Sequence, residues 1–139
     1  MSFCLDESIY VAGQTSSSDF PTIPNNYDIS YNNGNTDAFV SKLSEDLTIL
    51  LASTYLGGSS DDECRSIAID SNGNVYLAGS TLSSDFPTTS NAYDNSFNGK
   101  EDVFVSKLSN DLAKLLTSTY LGGSSGDAGY AMTIDSNGN

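Results

Sequence analysis

The residue types that usually carry catalysis are distributed here in a way that removes most of it. The sequence holds no histidine, five Lys and Arg together, and eighteen Asp and Glu. Without an imidazole neither a Ser-His-Asp nor a Cys-His nucleophile can be assembled, and histidine-based zinc or iron sites are excluded. What remains is carboxylate chemistry. Two acids at a suitable separation would suffice for glycoside hydrolysis. The run Asp61, Asp62, Glu63 offers oxygen ligands to a hard cation such as Ca2+. Asp70-Ser71-Asn72-Gly73-Asn74 echoes the opening of an EF-hand loop, but that loop needs glycine sixth and glutamate twelfth, whereas here glycine is fourth and Thr81 is twelfth. Cys64 beside Arg65 is the one place where a neighbouring cation would favour a thiolate.

The carboxylates are organised by an internal repeat. Ser53-Thr54-Tyr55-Leu56-Gly57-Gly58-Ser59-Ser60 recurs 65 residues later as Ser118-Thr119-Tyr120-Leu121-Gly122-Gly123-Ser124-Ser125. Ser18-Asp19-Phe20-Pro21-Thr22 recurs at an offset of 66 as Ser84-Asp85-Phe86-Pro87-Thr88, so one residue is gained or lost between Tyr31 and Asp37, in an Asn- and Gly-rich loop tip. Asp19/Asp85, Asp28/Asp94, Asp37/Asp102, Asp46/Asp111, Asp62/Asp127 and Asp70/Asp135 therefore occupy equivalent places. Acids that obey the repeat are expected to be scaffold residues in turns, because an active site normally breaks such symmetry. No catalytic residue is expected, and no cofactor beyond Ca2+ at Asp61, Asp62 and Glu63.

Within a copy, Arg65-Ser66-Ile67-Ala68-Ile69-Asp70 and Val75-Tyr76-Leu77-Ala78-Gly79 flank Ser71-Asn72-Gly73-Asn74, which reads as a hairpin closed by a type I′ turn at Asn72-Gly73. Asp102-Val103-Phe104-Val105-Ser106-Lys107-Leu108-Ser109 and Leu115-Leu116-Thr117-Ser118-Thr119-Tyr120-Leu121 supply a third and a fourth strand. Strands apolar on both faces, such as Val75-Tyr76-Leu77, suit a sheet covered on both sides. The fold class is all-β, with two four-stranded antiparallel propeller blades, 1–65 and 66–129, and the first strand of a third in 130–139.

These four ordered motifs, each present twice, resemble the SBBP, or seven-bladed β-propeller, repeat. The resemblance implies blades around a central axis, usually in secreted or cell-surface proteins of bacteria and archaea, and it implies no reaction. By the same alignment Met1-Ser2-Phe3-Cys4 begins the first blade, and Ala131, Met132, Thr133, Ile134 and Asp135 form the first strand of a third. Two blades cannot close a ring. Further blades are thus expected as partners, either in the same longer chain or in other copies of it, with 131–135 as the assembly strand. Long loops over residues 14–36 and 80–101 present Tyr27, Tyr31, Tyr93 and Phe97, which would either stack on a glycan or surface protein or anchor each loop to its own blade.

Charge and cysteine usage exclude other classes. A formal charge of −13 repels phosphate backbones, so nucleic acid is not an expected partner. No apolar run approaches the roughly 18 residues of a membrane span, and the first residues lack the basic and apolar regions of a signal peptide. Cys4 aligns with Asp70 and Cys64 with Gly129, so the two thiols imply no disulfide framework.

Overall fold

Runs of β-branched and aromatic residues, punctuated by Asn, Asp and Gly, dictate short strands. In the computed structural model, which describes residues 7–135 and 137, they form β1 (Ser8–Thr15), β2 (Asp37–Ser44), β3 (Leu50–Leu56), β4 (Asp62–Ile69), β5 (Val75–Thr81), β6 (Asp102–Leu108) and β7 (Leu115–Leu121). All pairing is antiparallel, in a three-stranded sheet of order β1-β2-β3 and a four-stranded sheet of order β4-β5-β6-β7. The all-β class and the blade architecture follow the reading of the repeat. The strand expected at Met1-Ser2-Phe3-Cys4 lies outside the described residues. β4 starts at Asp62, so its first residues precede the 65/66 division. They pair there because Asp62, Glu63 and Cys64 oppose Thr81, Ser80 and Gly79.

Two local features differ from the sequence reading. The β4–β5 turn is not type I′. Gly73 alone is left-handed, with φ of 80°, and its N–H donates to Asp70 O at 3.0 Å. Asp70 N–H pairs with Asn74 O, which leaves a three-residue loop needing only one positive φ. The Asp70 carboxylate caps that loop by accepting the N–H groups of Asn72 and Asn74, both at 2.9 Å. Secondly, 131–135 carries no strand ladder. Met132 N–H donates to Ser66 Oγ at 3.0 Å, and the Arg65 guanidinium sits over the Tyr130 ring at 4.6 Å. Through these contacts the segment lies against β4 of blade two.

The core lies between the sheets. Ala38, Val40, Ala52 and Leu56 of the first pack on Val75, Leu77, Phe104, Leu108 and Leu112 of the second. Their burial follows from strand alternation, which puts Ala38 and Val40 on one face of β2 and Phe39 and Ser41 on the other. On β4 the register slips between Cys64 and Ser66, so Arg65 is the extra residue of a bulge opposite Gly79. Close approach forces the glycine, since a Cβ there would lie 1.8 Å from Glu63 O. Gly79→Ala is expected to destabilise the fold by about 3 kcal/mol, read as a lower urea midpoint. Gly123→Ala, with nothing within 4 Å of the added carbon, is the control and leaves the midpoint in place.

Candidate functional site

Each long loop runs back along the outer edge of its own blade and takes up the hydrogen bonds that the last strand leaves free. Ile23 N–H donates to Ser53 O at 3.2 Å and Tyr55 N–H to Asp28 O at 2.9 Å. Thr89 N–H to Ser118 O and Tyr120 N–H to Asp94 O repeat the pattern at 3.1 and 3.0 Å. The Tyr55 and Tyr120 hydroxyls pin the start of each loop, donating to Ser17 O and Ser83 O, both at 2.8 Å. Burial pushes the Tyr120 phenol up to about 12, with Asp85, Asp62 and Asp102 adding repulsion, so it stays a neutral donor at any ordinary pH.

This geometry separates the four aromatic candidates. Tyr31 and Phe97 turn inward, their rings 5.9 Å from those of Tyr55 and Tyr120. Tyr27 packs on the core from its partly buried position, and its N–H donates to Leu112 O at 2.8 Å. Tyr93 is 84% exposed. They form no common array: three anchor their loops and one is free to touch something else.

Asp61, Asp62 and Glu63 do not converge either. Asp61 accepts the Asn35 N–H at 2.6 Å, which lowers its pKa, and Glu63 meets Arg65 at 2.7 Å. Asp62 points to the opposite side of the strand from Glu63, as alternation requires. Among the described residues no group of three or more His, Cys, Asp or Glu is placed to hold a metal ion. Cys64 is buried, and desolvation pushes its thiol up to about 11, opposite to the shift a nucleophile needs. Its neighbour Arg65 is directed to Glu63 instead.

The blade junction opens on the loop side as a polar cleft of about 330 Å3, lined by Tyr27, Asp28, Asn32, Gly58, Ser59 and Asp85 among others. Asp85 holds the Gly-Gly turn by accepting both the N–H and the hydroxyl of Ser59, at 2.8 and 3.0 Å, and its pKa is lowered by those bonds. Beneath the cleft lie two fully buried carboxylates, Asp37 at the start of β2 and Asp62 at the start of β4. Asp62 accepts from Thr81 Oγ1 at 2.5 Å, Gly58 N at 2.8 Å and Ser83 Oγ at 3.0 Å. Asp37 accepts the Asn32 N–H at 2.6 Å, on Oδ2, and its Oδ1 has no partner among the described residues. Burial pushes each acid up to about 6 against the hydrogen bonds that favour its charge. Neither is open to substrate, so the pair does not serve as a glycosidase couple.

Sequence alignment places Asp37 with Asp102 and Asp62 with Asp127, one copy against the next. The encounter of Asp37 with Asp62 crosses between copies and is invisible to that comparison. The signal that could have found it is Gly57, repeated as Gly122. A Cβ at Gly57 would lie 2.7 Å from Asp62 Oδ2 and 3.1 Å from Asp37 Oδ1.

Antiparallel sheets packed face to face, with each outer edge sealed by a long loop, define blades of the β-propeller class. Residues 53–87, from β3 across the junction to the loop after β5, match the family model of the β-propeller repeat, SBBP. Over those residues the chain matches the repeat that its motifs resemble. No curated protein matches it. Alkylation at pH 8 followed by peptide mapping is expected to leave Cys64 unmodified in the native protein and to label it after denaturation.

Proposed function

We propose that the chain is a non-enzymatic scaffold of β-propeller blades, extracellular or cell-surface and structural or adhesive in role, which is completed by further blades in the same longer chain or in other copies of itself. The observation that carries this reading is a mismatch between equivalent faces. Val75 and Leu77 are buried completely under blade one, whereas their counterparts Ile9 and Val11 are 43% and 44% exposed. Around Val11 an apolar groove of about 460 Å3 is lined by Phe20, Pro21, Phe39, Leu43 and Leu50. The equivalents Phe86, Phe104 and Leu108 are all buried.

The opposite face shows the reverse. Leu56 is fully buried in the junction, and its counterpart Leu121 is 51% exposed. The junction inside the chain therefore displays both halves of a contact whose separated halves stand open at either end. The tyrosine and turn positions agree. Tyr27 bonds to Leu112, whose counterpart Leu47 is 62% exposed, just as Tyr93 is the exposed counterpart of Tyr27. A head-to-tail neighbour would seat Tyr93 of one unit on Leu47 of the next. It would also bring the segment 127–135 to the edge of β1 that no described residue pairs with, as β4 lies on β5.

Location rests on the family resemblance alone, which the strongly acidic composition suits. A second reading, recognition of a polar ligand by the loops, draws on the cleft at the junction, and a glycan array would test it. For the leading reading, light scattering is expected to show a mass above that of the monomer that falls on Val11→Asp or Tyr93→Ala, with thermal unfolding changed little by either exposed substitution. A monodisperse monomer would overturn completion between copies.

A further inference from the structure

The buried acids at the junction require a counterion, and none of the chain's described ion pairs supplies it. Arg65 is engaged by Glu63 and Lys107 by Asp70. The groups whose fields reach Asp37 and Asp62 are acidic or phenolic: Asp28, Tyr31 and Tyr55 from blade one, and Tyr120 from blade two. Two adjacent carboxylates in such a place do not both stay ionised at no cost.

We propose that Asp37 and Asp62 hold one proton between them across the blade junction, carried on Asp37 Oδ1 beside the Asp62 carboxylate. Three observations support it. Asp37 Oδ1 is fully buried and without a partner, while both of these oxygens crowd the same point beside Gly57. The hydrogen bonds divide the roles: three donors hold Asp62 as the acceptor, and Asp37 keeps one oxygen free to carry hydrogen. The arrangement also recurs. Asp102 Oδ1 is buried without a partner, Asp102 Oδ2 accepts the Asn98 N–H at 2.8 Å, and Gly122 abuts both Asp102 Oδ1 and Asp127 Oδ2. A proton fits better than a metal ion, because among the described residues no group of three or more His, Cys, Asp or Glu is placed to hold one.

The sign follows from linkage. Both acids titrate higher in the folded protein than their ordinary value of 3.8, near 6. The folded state then binds a proton that the unfolded chain releases, so stability rises as pH falls through about 6 and levels off near 4. The junction is tight at mildly acidic pH and weakened at pH 8. This holds within a single chain and does not depend on assembly between copies.

The test compares the wild type with Asp37→Asn from pH 8 to 4.5, by thermal unfolding in chelator and again with Ca2+. The asparagine amide imitates the protonated carboxyl. It keeps an acceptor for Asn32 and puts a donor beside the Asp62 carboxylate. The expected result is a variant melting roughly 5 °C above wild type at pH 8, converging with it below pH 5. General charge repulsion from the other acids acts on both proteins, so only their difference is diagnostic. Parallel profiles would overturn the proposal, and so would a Ca2+-dependent rise at pH 8 that Asp37→Asn abolishes. Should the variant not fold, the wild-type side-chain carboxyl carbon of Asp37, followed by NMR, decides: a midpoint near 6 supports the shared proton, and one near 3.8 refutes it.

Discussion

Each sheet in this molecule is apolar on both faces, and that constraint governs the rest. A single four-stranded antiparallel sheet with one wet face could satisfy itself with one neighbour, but here alternation delivers Val75 and Leu77 to one side and Ala78 and Val105 to the other. Only a second sheet on each side can remove both from water. The junction between the two blades shows the solution, with small residues of one face, Ala38 and Ala52, admitting the larger Leu77, Phe104 and Leu108 of the next.

Buried hydroxyls within each blade are paired rather than removed. Ser41 and Ser53 share a hydrogen bond at 2.8 Å inside blade one, and Ser106 and Ser118 share one at 2.7 Å inside blade two. Four buried hydroxyls spaced in register across adjacent strands give each blade an internal polar tie, at little cost because every one finds its mate. Asp37 and Asp102 are exceptions, each with a buried oxygen that finds no donor among the described residues. Asp37 sits where β2 of one blade meets β4 of the next, so an incompletely satisfied group lies at the place where two repeats meet.

How far the sequence could be read depended on whether a feature lies within a repeat or between repeats. Strand positions, the loop tip of variable length and the turn acids belong to single copies, and equivalence exposes them directly. Asp46 and Asp111, placed in turns by the repeat, accept Ser44 and Ser109 hydroxyls at 2.7 and 2.6 Å. The turn at Gly73 departs from type I′ because Asn-Gly suits two turn types, and only the pairing of Asp70 with Asn74 decides between them. The Asp61-Asp62-Glu63 cluster misled because adjacency in sequence is opposition in a strand. Which face of each blade is covered, and which of the four loop aromatics is free, depends on the neighbour and leaves no local trace.

Tandem copies with near-identical strands carry a hazard, since a strand of one can pair with its twin in another and seed misassembly. The loops that return along β3 and β7 bear on this. Residues such as Ile23, Asp28, Thr89 and Asp94 occupy the backbone groups of the outermost strands. Lateral sheet extension, the route to cross-β aggregates, is closed at that rim whatever the concentration. A protein built of many such repeats can crowd a surface without turning fibrillar, and the long loops would be retained for that reason even where they bind nothing.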